Sequence, residues 1–173
     1  GAFDTIYHEH VSYWALHPMK ALFKRFGMEI TSAERLPLHH GQLRVFVQRQ
    51  GEGVVQPSVA QVLDEEASLG IGSFDTHLAF AQKAYQIKET LGETLGDLVS
   101  KGHRVAGYGA PAKGNTLLDF LGIGSETIEY IVDRSSLKQG RYTPGAHIPI
   151  VAPERLLQDQ PEYVVLLAWN FAE

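Results

Sequence analysis

The sequence predicts an α/β protein: a Rossmann-like parallel sheet with flanking helices, preceded by a helix and a β-hairpin. In the second half of the chain, short apolar runs alternate with helical patterns, as expected for parallel strands joined by helices. A glycine-rich turn follows the first of these runs, and Asp133 follows the second. In the first half, two segments favour strands, one of them alternating apolar and polar side chains.

Composition narrows the classes of protein that the chain can represent. Hydrophobic residues make up 44% of the 173 residues, enough for a sizeable core. The formal net charge is −5 and no basic stripe stands out, so nucleic acid is not an expected partner. No run reaches the roughly 18 apolar residues of a membrane span. The absence of cysteine excludes disulfides and thiolate metal sites within this chain and agrees with the cytoplasmic setting that we predict.

The first half is predicted to contain a helix and an antiparallel pair of strands. Pro18 suits the first turn of the helix, and Gly27 suits its end. The remaining predicted elements, in order, are strands over residues 28–36 and 43–49, a connecting turn over residues 37–42 that contains His39 and His40, and a linker over residues 51–57.

The second half is predicted to alternate helices and strands. The helices are expected over residues 58–69, 75–101, 113–121 and 153–157, and the strands over residues 104–108, 128–132, 148–151 and 163–168. The last strand is a nearly continuous apolar run, which predicts that both of its faces are covered.

A cluster of titratable side chains near the N-terminus is the first candidate for chemistry. Tyr7, Glu9 and His10 lie within four positions. A histidine can accept a proton near neutral pH, and an adjacent carboxylate can orient it. A solvated polar turn is an equally simple interpretation. A metal site on His8 and His10 is not predicted, because two histidines four apart on a helix, the usual zinc-protease pattern, are absent.

The glycine-rich turn is the second candidate. Backbone N–H groups at such a turn and at the following helix N-terminus can bind an anion, and Lys113 adds a positive charge. The alternative is an ordinary tight strand-to-helix turn, since the sequence matches neither a Walker loop nor a complete Gly-x-Gly-x-x-Gly. The residues predicted to contact substrate here are Gly107, Tyr108, Gly109, Ala110, Pro111, Lys113 and Asn115.

A loop after the second parallel strand is the third candidate. Ligands of open parallel sheets bind beyond the carboxyl ends of the strands, where this loop and the glycine-rich turn are both expected. The alternative is a solvated surface loop. The residues predicted to contact substrate here are Asp133, Arg134, Lys138, Arg141 and Tyr142.

Together these segments resemble the sugar C-methyltransferases that act on nucleotide-linked deoxy-ketosugars. The resemblance covers almost the whole chain. Its most specific parts are Phe3-Asp4-Thr5-Ile6-Tyr7-His8-Glu9-His10, Gly107-Tyr108-Gly109-Ala110-Pro111-Ala112-Lys113-Gly114-Asn115-Thr116, Lys138-Gln139-Gly140-Arg141-Tyr142-Thr143-Pro144-Gly145 and Leu166-Leu167-Ala168-Trp169-Asn170-Phe171.

The resemblance implies a three-part enzyme, of which this chain is the C-terminal region. Residues 1–50 would be the tail of the S-adenosylmethionine-dependent methyltransferase domain, and residues 58–173 a Rossmann-like domain that binds a nucleotide-diphosphate sugar. Zinc would belong only to the absent N-terminal segment, and most contacts to S-adenosylmethionine to the absent part of the methyl-donor domain. The chain alone is then not expected to turn over. Residues 1–50 are expected to self-associate through apolar surface and an unpaired strand edge.

The resemblance also implies residue roles. His10 would be the general base that removes the proton beside the sugar ketone, while Tyr7 and Glu9 would orient it and stabilise the enolate. Two other functions remain open from the residues themselves. The glycine-rich turn and Asp133 also suit an NAD(P)-dependent oxidoreductase domain, and a non-catalytic nucleotide-binding module would need neither Tyr7 nor His10.

Overall fold

The computed structural model describes residues 3–37 and 41–169. A short 3-10 turn, Phe3–Thr5, precedes the regular elements. The helices are α1 (Leu16–Arg25), α2 (Pro57–Ser68), α3 (Phe74–Ser100), α4 (Ala112–Leu121) and α5 (Glu154–Asp159). The strands are β1 (Met28–Leu36), β2 (Gln42–Arg49), β3 (Val105–Tyr108), β4 (Ile131–Val132), β5 (Ile150–Val151) and β6 (Tyr163–Leu166).

The predicted parallel sheet is confirmed. Four strands pair in the order β5-β4-β3-β6, and all three pairings are parallel. From β3 the chain first adds β4 and β5 on one side and then returns to add β6 on the other. The gap between the carboxyl ends of β3 and β6 is therefore the topological switch point, where open α/β sheets bind their ligands.

Strands β4 and β5 of the parallel sheet are shorter than predicted. Strands were expected over residues 128–132 and 148–151, but β4 and β5 contain two residues each. Ile128 and Ile148 lie outside the strands and are nevertheless fully buried in the main apolar cluster. A run of apolar residues indicates that the side chains are buried, but it does not show which residues form backbone hydrogen bonds with a neighbouring strand. The sequence pattern therefore overestimated the length of these strands.

Strand β6 departs from the prediction that both of its faces are covered. Tyr163, Val164 and Leu166 are 42%, 45% and 41% exposed. The strand lies at the edge of the described sheet and pairs only with β3 there. The residue that is buried, Leu167, comes directly after the strand and packs into the main core cluster.

The predicted hairpin is confirmed as an antiparallel β1–β2 pair, which belongs with α1 and α2 to a compact unit, Ser12–Phe80. Its core comprises Leu16, Ile30, Ala33, Val59 and Val62. The buried Glu66 carboxylate accepts hydrogen bonds from the first backbone N–H groups of α1, at 2.6 Å from Leu16 N and 2.9 Å from His17 N. It thereby satisfies donors that have no partner within the helix. The predicted turn at His39 and His40 lies outside the described residues.

The other compact unit combines the described residues up to Val11 with those from Ala81 onward. The Tyr7–His10 segment therefore groups with the parallel sheet. Residues 51–57, which remain the predicted domain linker, lie between β2 and α2, and both of these elements belong to the Ser12–Phe80 unit. Among the described helices, none has both the length and the apolar character needed to cross a membrane.

Candidate functional site

A tight turn presents the titratable residues near the N-terminus. Backbone hydrogen bonds run from Ile6 N to Phe3 O at 3.1 Å, from Tyr7 N to Thr5 O at 3.0 Å and from His10 N to Tyr7 O at 2.9 Å. This folding brings the Tyr7 and His10 rings to a centroid separation of 4.5 Å. Two of the three predicted catalytic side chains are thus in direct contact.

The His10 ring forms a hydrogen bond with the backbone of the same turn. Its Nδ1 lies 2.9 Å from the carbonyl oxygen of Thr5. A carbonyl oxygen only accepts, so Nδ1 must carry the hydrogen. In the neutral imidazole, Nε2 is then the nitrogen with the basic lone pair.

The third predicted catalytic residue is placed differently. Glu9 is exposed, and its side chain forms no hydrogen bond or ion pair within residues 3–37 and 41–169. His8 is also exposed, with its ring 6.0 Å from that of Tyr7. The structure thus brings Tyr7 and His10 together but does not place the Glu9 carboxylate against either ring.

The segment carrying this turn is attached to the parallel-sheet unit through Asp4. Asp4 is only 5% exposed, and its Oδ2 accepts a hydrogen bond from Trp169 Nε1 at 2.7 Å. The ammonium group of Lys113 lies 4.1 Å from the centroid of the Trp169 ring, a cation–π contact. Burial lowers the pKa of Lys113, and the nearby Asp4 carboxylate opposes that shift. Trp169 lies three residues after the end of β6, so this contact lies at the carboxyl edge of the sheet.

Asp4 and Trp169 were not assigned a role from the sequence. Both lie in the segments that carry the family resemblance, but they are 165 positions apart. No local spacing links such residues, so only the folded structure reveals the pair.

The glycines of the predicted anion-binding turn have packing roles. A Cβ added at Gly107 would lie 2.7 Å from Ile131 Cγ1, and one at Gly109 would lie 2.6 Å from Ala168 Cβ. A Cβ added at Gly114 would lie 3.1 Å from Leu167 Cβ, where α4 packs close to the end of β6. Close packing against β4 and against the two residues that follow β6 therefore explains these glycines without a ligand.

Asp133 sits at the carboxyl end of β4, as predicted, but its oxygens are already engaged. Oδ2 accepts from Ala110 N at 2.8 Å and from Lys138 Nζ at 3.1 Å, and Oδ1 accepts from Ser135 N at 2.8 Å. Burial alone would raise the pKa of Asp133. The hydrogen bonds from Ser135, Ala110 and Lys138 outweigh it and hold the pKa below the usual value.

These bonds tie the glycine-rich turn to the loop after β4. Lys138 Nζ also donates to the carbonyl oxygen of Ala110 at 2.9 Å. In Rossmann folds an acidic residue at the position of Asp133 accepts hydrogen bonds from the ribose hydroxyl groups of a dinucleotide. Here three of the roughly four acceptor positions of the carboxylate are taken by donors of the protein, so at most one is left for a ligand.

The other predicted substrate-binding residues differ in their availability. Arg134 and Arg141 are exposed, and neither forms an ion pair within the described parts of the chain. Tyr142 stacks on His147, with ring centroids 5.3 Å apart. The remaining three lie in or beside the glycine-rich turn. Tyr108, at the end of β3, packs beside an apolar cluster, and Pro111 directly precedes α4. Asn115, within α4, has a buried Oδ1 without a hydrogen-bond partner among the described residues.

Within the described residues, no group of three or more histidine, aspartate or glutamate side chains is placed to hold a metal ion.

Comparisons with known proteins agree with the sequence resemblance. The sequence model of the C-methyltransferase C-terminal domain family matches residues 37–173. The chain is also 39% identical over 171 residues to the C-methyltransferase NovU of Streptomyces niveus, which covers 98% of this chain and 41% of that protein. The chain thus spans less than half the length of this relative. It belongs to the C-methyltransferase C-terminal domain family.

Proposed function

We propose that this chain is the part of an S-adenosylmethionine-dependent C-methyltransferase that holds a nucleotide-linked ketosugar and removes a proton from it. The observation that carries the proposal is the hydrogen bond between His10 Nδ1 and the Thr5 carbonyl. It makes Nε2 the basic nitrogen and holds the ring beside Tyr7. A pre-oriented imidazole is what deprotonation near neutral pH requires.

The proposed step moves one proton and one electron pair. Nε2 of His10 takes the proton from the carbon adjacent to the ketone, and the C–H electron pair becomes the enolate. The negative charge then resides mainly on the ketone oxygen, which needs a hydrogen-bond donor. Tyr7 is the donor that we propose, because its ring contacts the His10 ring. Glu9 is exposed and is a weaker candidate for either role.

The nucleotide diphosphate would bind at the carboxyl edge of the parallel sheet. The first N–H groups of α4 point to this edge and have no acceptors within the helix. Phosphate groups favour such a position because of the helix dipole. The exposed Arg134 side chain comes two residues after the end of β4 and adds positive charge near that edge. Arg141 is also exposed, and its backbone pairs with Ile150, the first residue of β5. These features support the proposal that the start of α4 and the exposed part of the loop after β4 contact the substrate, whereas Gly107, Gly109 and Asp133 are engaged within the protein.

The methyl donor does not fit the residues described here. Its adenosine ribose would need a free acidic residue after the second strand, but Asp133 is engaged by three protein donors. Its other end would need an open glycine-rich turn, but Gly107 and Gly109 are packed against Ile131 and Ala168. We therefore place the donor outside this chain. The same observations weigh against the NAD(P)-dependent oxidoreductase alternative.

The proton-abstraction step can be tested directly in a full-length protein that contains this chain. Nucleotide-linked ketosugar is incubated in D₂O without methyl donor, and deuterium entry at the carbon beside the ketone is followed by NMR. We expect exchange, and we expect His10→Gln to slow it about 10²–10⁴-fold, the usual contribution of a general base. His8→Gln is the matched control, because His8 is exposed two positions away.

Two outcomes would contradict the proposal. Exchange in His10→Gln equal to that in His8→Gln would remove His10 as the base. A thermal upshift of this chain with NAD(P)H but not with nucleotide-diphosphate sugars would favour the oxidoreductase alternative, since a ligand that binds only the folded state stabilises it.

A further inference from the structure

We infer that Asp4 and Trp169 are positioning residues that set the tautomer of His10 from the carboxyl edge of the parallel sheet. The inference rests on the proposed function, because it concerns the same base. It assigns a purpose to two residues that neither contact the proposed substrate nor belong to the proposed catalytic group.

The first step of the argument is the burial of Asp4. A carboxylate that is 5% exposed is costly unless it is hydrogen-bonded. The Trp169 indole supplies a bond at 2.7 Å, and the Lys113 ammonium group stands over the same ring at 4.1 Å. Bonds to charged acceptors are stronger than those between neutral groups. Asp4 is therefore held in a defined place relative to β6 and α4.

The second step leads from Asp4 to the base. Thr5 is the next residue, and its carbonyl oxygen receives the hydrogen of His10 Nδ1 at 2.9 Å. The same carbonyl accepts from Tyr7 N at 3.0 Å. Fixing Asp4 restricts the peptide that follows it, because Asp4 and Thr5 share the short 3-10 turn. The orientation of the Thr5 carbonyl then decides which ring nitrogen is protonated.

Further contacts hold the two ends of this turn. The Phe3 ring packs on Phe120 of α4 with centroids 5.2 Å apart, and Tyr85 of α3 lies 5.7 Å from the same Phe120 ring. On the other side, Thr116 Oγ1 donates to the Ile6 carbonyl at 3.4 Å. The packing of Phe3 anchors the segment in any case, so loss of the Asp4–Trp169 bond should loosen the turn without detaching it.

The test measures the His10 tautomer in this chain by ¹⁵N NMR of the imidazole nitrogens. In the parent protein, we expect His10 in its neutral form to carry its proton on Nδ1, the less common tautomer of a free imidazole. Asp4→Asn and Trp169→Phe should both shift the population towards protonated Nε2. His10→Gln identifies the signal among the eight histidines.

Two controls accompany these variants. His77 Nε2 lies 2.8 Å from the Ile71 carbonyl, so His77 should show the opposite tautomer in every sample. Trp14→Phe makes the same change at the second tryptophan, which is 47% exposed, and should leave His10 unchanged. Folded Asp4→Asn and Trp169→Phe proteins that keep the parental His10 tautomer would overturn the inference.

Kinetics of the full-length protein distinguish a failure of this inference from a failure of the proposed function on which it rests. If both hold, Trp169→Phe should lower kcat by about 10-fold or more, as misplacement of a catalytic group does, with KM for the nucleotide-sugar within about 2-fold of the parent. An unchanged kcat despite a changed tautomer would overturn the catalytic purpose of the pair. If the parent protein shows no proton exchange at all, the proposed function fails. The NMR result would still show whether Asp4 and Trp169 control the tautomer of His10.

Discussion

At the scale of single residues, Asp133 shows that a position typical of ligand binding can also hold hydrogen bonds within the protein. Its location after β4 follows from the Rossmann pattern, and the sequence predicts it correctly. What the pattern cannot reveal is that the carboxylate is turned towards Ala110, Ser135 and Lys138. A side chain has few hydrogen-bonding sites, and those committed within the protein are not available to a ligand.

This commitment makes the stability of the parallel-sheet unit depend on pH. Because hydrogen bonds lower the pKa of folded Asp133, its contribution is complete above the unfolded pKa, about 3.9, and is lost as pH falls through the folded pKa. At pH 7 we expect Asp133→Asn to lower the free energy of unfolding by about 1–3 kcal/mol. The difference from the parent should shrink as pH falls below about 4.

Urea unfolding at several pH values measures this difference, with Trp169 fluorescence in a Trp14→Phe background reporting on the unit that contains Asp133. Glu93→Gln is the control, since Glu93 is exposed and has no hydrogen bond or ion pair in the described residues. A difference between parent and Asp133→Asn that stays constant from pH 7 to below the folded pKa would contradict the assignment.

At the scale of secondary-structure elements, the glycine-rich turn is a packing device that brings β3 and α4 against β6. Two glycines with the same positive φ allow the packing role to be distinguished from the need for a left-handed backbone. Gly109 and Gly102 both have a φ of +83°, but a Cβ would contact Ala168 only at Gly109, and at Gly102 nothing lies within 4 Å.

We therefore expect the two alanine substitutions to differ. Gly102→Ala should cost about 1–2 kcal/mol, the strain of a left-handed conformation. Gly109→Ala should cost a further ~1–3 kcal/mol from overpacking. Denaturant unfolding monitored by circular dichroism measures both, and equal losses would show that the contact with Ala168 carries no weight.

Secondary-structure elements were predicted well where the spacing of apolar side chains and the capping residues agree. They were predicted poorly where contacts with other parts of the chain determine the structure. Helix α3 was expected over residues 75–101 and is found at Phe74–Ser100. Strand β6 was predicted from its apolar run, but its place at the sheet edge depends on strands elsewhere in the chain. The candidate catalytic residues Tyr7 and His10 are close in sequence and could be proposed together, whereas the attachment of their turn through Asp4 and Trp169 is a long-range contact without a local signal.

At the scale of the whole molecule, strand β2 is the surface where self-association of residues 1–50 is expected. The edge of β1 is partly covered, because Gln56 N donates to the Thr31 carbonyl at 2.8 Å. Strand β2 pairs only with β1 among the described strands, so its other edge offers backbone donors and acceptors. Phe46 is 48% exposed on this strand. Unpaired edges with apolar side chains favour pairing with another chain.

We expect the average mass in sedimentation or light scattering to rise above the 19.1 kDa of one chain as concentration increases. Phe46→Glu should suppress the rise, because a charge on an edge strand opposes pairing and removes apolar surface. Leu137→Glu makes a similar change in the loop after β4, where the side chain is 80% exposed, and should leave association unchanged. If Leu137→Glu suppressed association as strongly as Phe46→Glu, general hydrophobicity would be the cause and β2 would not be the contact. A parent protein that stays at the mass of one chain throughout would exclude association by any surface.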